Sequence, residues 1–234
     1  MSSEEAVVLE LMTAAAGALK SGHRDDLPAT LTRITHAAVQ TLPDVDYASF
    51  SFLRTDGRLE TAAATDPVAL KLDASQYELR EGPCYEAVTE AGVVQSQQVS
   101  DDPRWPRYGP VAARAGVGSQ LALEVYRNHH SRGGLNLYSR QTGAFSYQDH
   151  LGELFGKYAA VVMSYAFQVE TLQQALATRK TIGQALGILM LRYDMSEQRA
   201  FATLVRISQH SNVKLRIVAE QVVSNRGLPA DPTV

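Results

Sequence analysis

The chain has 234 residues, 45% apolar and 20% charged, which is enough for two modest cores and well short of the polarity that keeps a segment disordered. Its one cysteine, Cys84, excludes an internal disulfide and a cysteine-based metal cluster, and no apolar run reaches the roughly 18 residues that span a bilayer. The net charge of -3 is unevenly divided: residues 171–234 hold eight Lys/Arg against four Asp/Glu, whereas the first 170 carry 14 basic and 21 acidic groups. That division points to a polyanionic partner for the C-terminal part alone, with an ordinary solvated helical face as the competing reading. The acidic start Met-Ser-Ser-Glu-Glu has no signal-type apolar run, so the expected location is cytoplasmic.

In chain order, apolar residues from Glu4 to Lys20 recur at helical spacing and stop at Ser21-Gly22, which predicts an N-terminal helix within 1–23. A second helix starts at Asp26 and ends before Pro43. From Tyr47 the period changes to two, and Asp56-Gly57 between Tyr47–Leu53 and Leu59–Thr65 predicts a hairpin. Beyond it the chain is less regular. Gly82-Pro83-Cys84 opens a short helix to Glu90, Val93–Val99 reads as a strand, and two prolines within Pro103–Pro106 enforce a loop. Val117–Tyr126 and Leu135–Ser139 are two further strands. Helices followed by about five strands predict an α+β fold on an antiparallel sheet.

The runs LREGPCYEAV, VSDDPRWPRYGPVAARAGVGSQLALEVY and GGLNLYSRQTGAFSYQD give residues 24–165 a resemblance to the GAF domains of actinobacterial regulators. The resemblance implies a central antiparallel sheet with a small ligand pocket on one face, and it names no ligand, because this fold hosts unrelated functions. Phe50, Cys84, Tyr85, Trp105 and Tyr108 are the candidate pocket residues, although aromatic residues at such positions also serve as plain core. For Cys84 the alternatives are a buried structural thiol and a pocket or redox role.

Ser146-Tyr-Gln-Asp149 forms a capping-box pattern, and no proline follows until Pro229. Leu154, Phe155, Tyr158, Val161, Val162, Tyr165, Val169, Leu172 and Leu176 recur at three- and four-residue steps, predicting one helix from Tyr147 to Arg192. Its stretch 147–178 is a candidate coiled-coil seam with a second copy, in a homodimer; packing against the chain's own first helix is the alternative. After the break Tyr193-Asp194-Met195-Ser196 comes a second helix, and Asn212 is expected to cap a third that ends at Asn225-Arg226-Gly227, leaving 227–234 as a tail. Gly187 inside a helix costs about 1 kcal/mol relative to alanine, and close packing of helices beside Gly183 and Ala185 is the expected reason for it.

Arg179, Ile182, Gln184-Ala185, Gly187-Ile188-Leu189-Met190, Ser196, Ala200-Phe201, Leu204, Asn212, Lys214-Leu215-Arg216 and Val218-Ala219 together resemble the ANTAR domain, across 172–226. That family implies a three-helix module that binds RNA hairpins with hexanucleotide loops in transcription antitermination. Arg179, Lys180, Gln184, Arg192, Lys214 and Arg216 are the candidate RNA contacts, since Arg and Lys hold phosphates while unstacked loop bases are read by side chains. Ala185, Gly187, Met190, Ala200, Phe201 and Ala219 are expected to pack beneath that surface, and Tyr193 to be a core tyrosine or a stacking platform. Leu186 and Val205 replace basic residues common in the family. The expected protein is a signal-responsive antiterminator acting on tandem RNA stem-loops, with a GAF module that senses a small ligand or dimerises. A module that docks proteins without RNA is the alternative. No cofactor, metal or enzymatic activity is expected: the six histidines lack metal-binding spacing, and phosphate-loop and nucleophile-elbow motifs are missing.

Overall fold

The structure, a computed structural model, describes residues 27–128, 131–145 and 150–228. The helix expected before residue 24, His129-His130, the capping-box residues 146–149 and the tail beyond Leu228 lie outside them. The chain divides into two compact units, Met1–Val169 and Glu170–Val234.

The first unit is built on one antiparallel sheet in the order β2-β1-β5-β4-β3, from β1 (Tyr47–Arg54), β2 (Leu59–Ala64), β3 (Val93–Ser96), β4 (Ser119–Arg127) and β5 (Ser131–Ser139). The alternation in the sequence decides which residues face where. Ala48, Phe50 and Phe52 of β1, Leu121, Leu123 and Val125 of β4, and Leu135 and Leu137 of β5 point to one face. There α1 (Leu27–Thr41) covers them with Leu31, Ile34 and Ala38, and the first turns of α5 (His150–Tyr193) with Phe155, Ala159, Val162 and Met163. Gly152 and Gly156 let α5 sit directly on β4: a Cβ at either would come within 2.6 Å of Leu121 Cδ2 or 3.0 Å of Leu123 Cδ1.

The opposite face is covered by two helices that the irregular middle segment conceals from pattern reading. In α2 (Pro67–Leu79), the Asp66 carboxylate accepts from the Val68 amide at 2.7 Å and Pro67 occupies the first turn, so the start carries its own cap. Next come the short α3 (Pro83–Glu86), a wide turn over Ala87–Ala91, and α4 (Tyr108–Arg114). The strand expected from Val93 stops at Ser96, because Val99–Asp101 forms a 3₁₀ turn, and β5 begins four residues earlier than the expected Leu135.

In the second unit, the C-terminal half of α5 packs with α6 (Glu197–Ser211) and α7 (Leu215–Asn225) around Ala185, Leu189, Ala200, Leu204, Val218, Ala219 and Val222. Ser196 caps α6, its hydroxyl accepting from the Arg199 amide at 3.4 Å. Asn212, expected at the start of the third helix, instead closes the second in the left-handed conformation (φ 51°), and Lys214 is the N-cap of α7. Asp194 and Arg226 close α5 and α7 with the same hand.

Candidate ligand and nucleic-acid sites

On the α2–α4 face, the polar members of the strand alternation meet buried polar groups of the helices. Asp73 of α2 is fully buried; its carboxylate accepts from Thr61 Oγ1 (2.8 Å), Asn136 Nδ2 (3.3 Å) and the Tyr138 hydroxyl. Gln76 Nε2 donates to the Tyr138 hydroxyl at 3.2 Å, and Gln76 Oε1 accepts from the Cys84 amide (2.8 Å) and from Gln120 Nε2 (3.4 Å), whose own Oε1 accepts from the Tyr108 hydroxyl at 2.7 Å. Tyr77 donates to Ser51 Oγ at 2.6 Å, and the Cys84 thiol lies 3.5 Å from the same oxygen. Among the described residues, Asn136 Oδ1 is one of two buried side-chain atoms left without a partner.

Burial disfavours charge on every member. It pushes the Asp73 carboxyl up to about 6 despite the hydrogen bonds that favour its anion, and the Cys84 thiol up to about 12, with the nearby Asp73 carboxylate adding to the rise. Tyr108 and Tyr138 are raised for the same reasons. A thiol held protonated this firmly is a poor nucleophile.

Of the five residues singled out for this pocket, Cys84 and Tyr108 join the network and Tyr85 is half-buried in the same short helix. Trp105 is buried with this face; its ring lies under the Arg104 guanidinium (4.1 Å) and its Nε1 donates to Glu86 at 3.2 Å. Phe50 does not belong with them: between Ser49 and Ser51, the two-residue period turns it to the α1–α5 core. The principal polar residues, Asp73, Gln76, Asn136 and Tyr138, escaped pattern reading. The signal for two of them was the alternation Leu135-Asn136-Leu137-Tyr138, polar on a face that proves to be covered.

In the second unit Arg179, Lys180, Gln184, Arg192, Lys214 and Arg216 are all exposed. Arg216 forms an ion pair with Glu220 one turn on (2.8 Å, both about half exposed), worth little in water. Arg192 Nη1 donates to the Arg226 carbonyl at 2.7 Å, and the Tyr193 hydroxyl accepts from the Leu228 amide at 3.2 Å, so the end of α5 holds the end of α7. Ala185, Ala200 and Ala219 pack in the core as expected. The expectations for Met190, Phe201 and the two glycines fail. Met190 and Phe201 are 39% and 45% exposed, and a Cβ on Gly183 or Gly187 would meet nothing within 4 Å, because both glycines lie on the open side of α5.

Among the described residues no group of three or more His, Cys, Asp or Glu could hold a metal, and no helix is long and apolar enough to cross a membrane.

A sheet whose two faces are covered by separate helix sets, followed by a three-helix unit with a basic exterior, defines a two-domain protein, an α+β domain and a small helical one. The GAF domain model matches residues 25–164 and the ANTAR domain model residues 170–223. The chain belongs to the GAF domain family and carries an ANTAR domain after it. It is similar to the transcriptional regulatory protein PdtaR of Mycobacterium tuberculosis, at 26% identity over 188 residues that cover 72% of this chain and 91% of that protein. The fold is shared with the free methionine-R-sulfoxide reductase of Neisseria meningitidis (14% identity, TM-score 0.52, 70% of this chain and 93% of that one). It is shared equally with the GAF domain of a phosphoenolpyruvate-protein phosphotransferase from Coxiella burnetii (11%, TM-score 0.52, 71% and 98%).

Proposed function

We propose that this protein is an RNA-binding transcriptional regulator, that its ANTAR unit binds paired RNA hairpins and opposes termination, and that its GAF unit senses a small molecule or holds a dimer together. The observation that carries this reading is the exposed set Arg179, Lys180, Gln184, Lys214 and Arg216 on a unit whose residues 170–223 match the ANTAR model, in the basic part of an otherwise acidic chain. The similarity to a transcriptional regulatory protein supports it. The protein acts by binding; its one thiol is buried and held protonated, which argues against chemistry at Cys84.

Dimerisation through α5 rests on Leu154, Tyr158, Val161, Tyr165, Gln168, Leu172 and Ala175, which keep a strict four-three spacing. Val161 and Leu172 are 57% and 64% exposed, which a coiled-coil seam explains. Two heads in one dimer suit tandem stem-loops through effective concentration.

Gel shifts with a two-hairpin RNA test the reading. Binding should fall steeply with salt and weaken in Lys214→Ala and Arg216→Ala; binding that ignores both salt and these changes overturns it. The apolar side chains of Leu191 (90% exposed) and Phe201 favour a second reading, a protein-docking face. On that reading hairpin RNA does not bind, and Leu191→Ser releases a protein partner.

A further inference from the structure

In the second unit Arg192 and Arg216 have partners of their own, the Arg226 carbonyl and the Glu220 carboxylate. Arg199 and Arg206 of α6 are exposed, and among the described residues neither guanidinium forms an ion pair or a hydrogen bond. At roughly 100° per residue the two arginines lie within about 20° of each other around the helix, and the exposed His210 lies within about 40° of both. They make one line along α6, with the arginines about 10 Å apart and His210 about 6 Å beyond. Glu197, the one acid of α6, is about 160° or more round the helix from both arginines, so nothing acidic on this helix interrupts the line.

The position of Arg199 runs against helix energetics. It is the third residue after the Ser196 cap, where a glutamate would complete a capping box and where the positive end of the helix dipole repels a cation. His210 sits in the last turn, which suits a base. An exposed, unpaired arginine at the unfavourable end is most simply explained by an anion from outside the fold.

We propose that Arg199 and Arg206, with His210 continuing their line, are a further set of phosphate contacts through which α6 holds the RNA backbone, beside the set on α5 and α7. This rests on the RNA-binding reading and extends it to a face of the unit that carries none of those residues. Charge complementarity selects the occupant, because residues 171–234 hold eight Lys/Arg against four Asp/Glu and the line itself is wholly basic. Its length suits an extended polyanion. Contacts of this kind position a nucleic acid and carry no sequence information, so the line adds affinity for any hairpin and leaves the preference among loop sequences to other residues.

Gel shifts of the full chain with the two-hairpin RNA, repeated across salt concentrations, test it. Arg199→Ala combined with Arg206→Ala should weaken binding by about tenfold and make the slope of log affinity against log salt shallower by about 2, equally for hairpins of different loop sequence. Arg199→Glu should weaken binding and raise the urea midpoint of the C-terminal unit, because it completes the capping box. These opposite signs separate an RNA contact from an effect on folding. Unchanged affinity and slope in the double variant, while Lys214→Ala still weakens binding, overturns the proposal alone and leaves the line to an acidic protein. A lower midpoint in Arg199→Glu also overturns it, since the arginine would then be holding the fold. Failure of the unaltered chain to bind hairpin RNA overturns it together with the reading on which it rests.

Discussion

Arg192, in the last turn of α5, donates to the main-chain carbonyl of Arg226 across 2.7 Å, so one of the basic residues expected to meet RNA also fastens the end of α7. Replacing it with alanine should lower the stability of the C-terminal unit by about 1 kcal/mol, seen as a lower urea midpoint at unchanged slope. Lys180→Ala should weaken RNA binding and leave the midpoint where it is, so the pair separates a positioning effect from a contact.

Gly187 sits mid-helix with open space around it. Gly187→Ala should therefore stabilise the unit by about 1 kcal/mol, with a higher thermal midpoint. If RNA affinity falls in the same variant, the bare backbone at this position serves close approach of the ligand.

Asp73 gives the first unit a pH dependence whose sign follows from burial. Its carboxyl is raised from 3.8 to about 6 in the folded state, so the stability it contributes is complete below about pH 4 and is lost as pH rises through 6. The gap corresponds to roughly 3 kcal/mol. Asp73→Asn, which keeps an acceptor and carries no charge, should be more stable than the unaltered protein at pH 7.5, and the difference should shrink toward pH 5. Denaturant melts at the two pH values measure it.

The Cys84 thiol, fully buried and raised to about 12, should resist aromatic disulfide reagents in the folded protein at pH 8 and react completely once urea unfolds the first unit. Fast reaction without denaturant would contradict both its burial and its state.

Periodicity made much of this molecule legible. The hairpin at Asp56-Gly57, the long helix through Tyr193 and the alanine-lined core of the last three helices all follow from spacing that local geometry imposes. The polar cluster did not, because α2 carries Asp73 and Gln76 on its buried side and so lacks the apolar stripe that announces a helix. Phe50 lies in the core because its place in the strand alternation, and not its aromatic character, decides the face it meets. Gly183 and Gly187 depart from expectation for a different reason: a glycine in sequence does not say whether it makes room for a neighbour or simply leaves a surface bare.

Gly152 and Gly156 are a case where room is made, and they act as a keyway. Lying one turn apart, they form a slot into which Leu121 and Leu123, alternate residues of β4, project like the teeth of a key. A helix seated this way cannot spin about its own axis without driving a Cβ into a leucine. Its angular phase at the root is thus locked to a single strand, and a disturbance of β4 reaches α5 as a displacement of the whole turn rather than as a rotation.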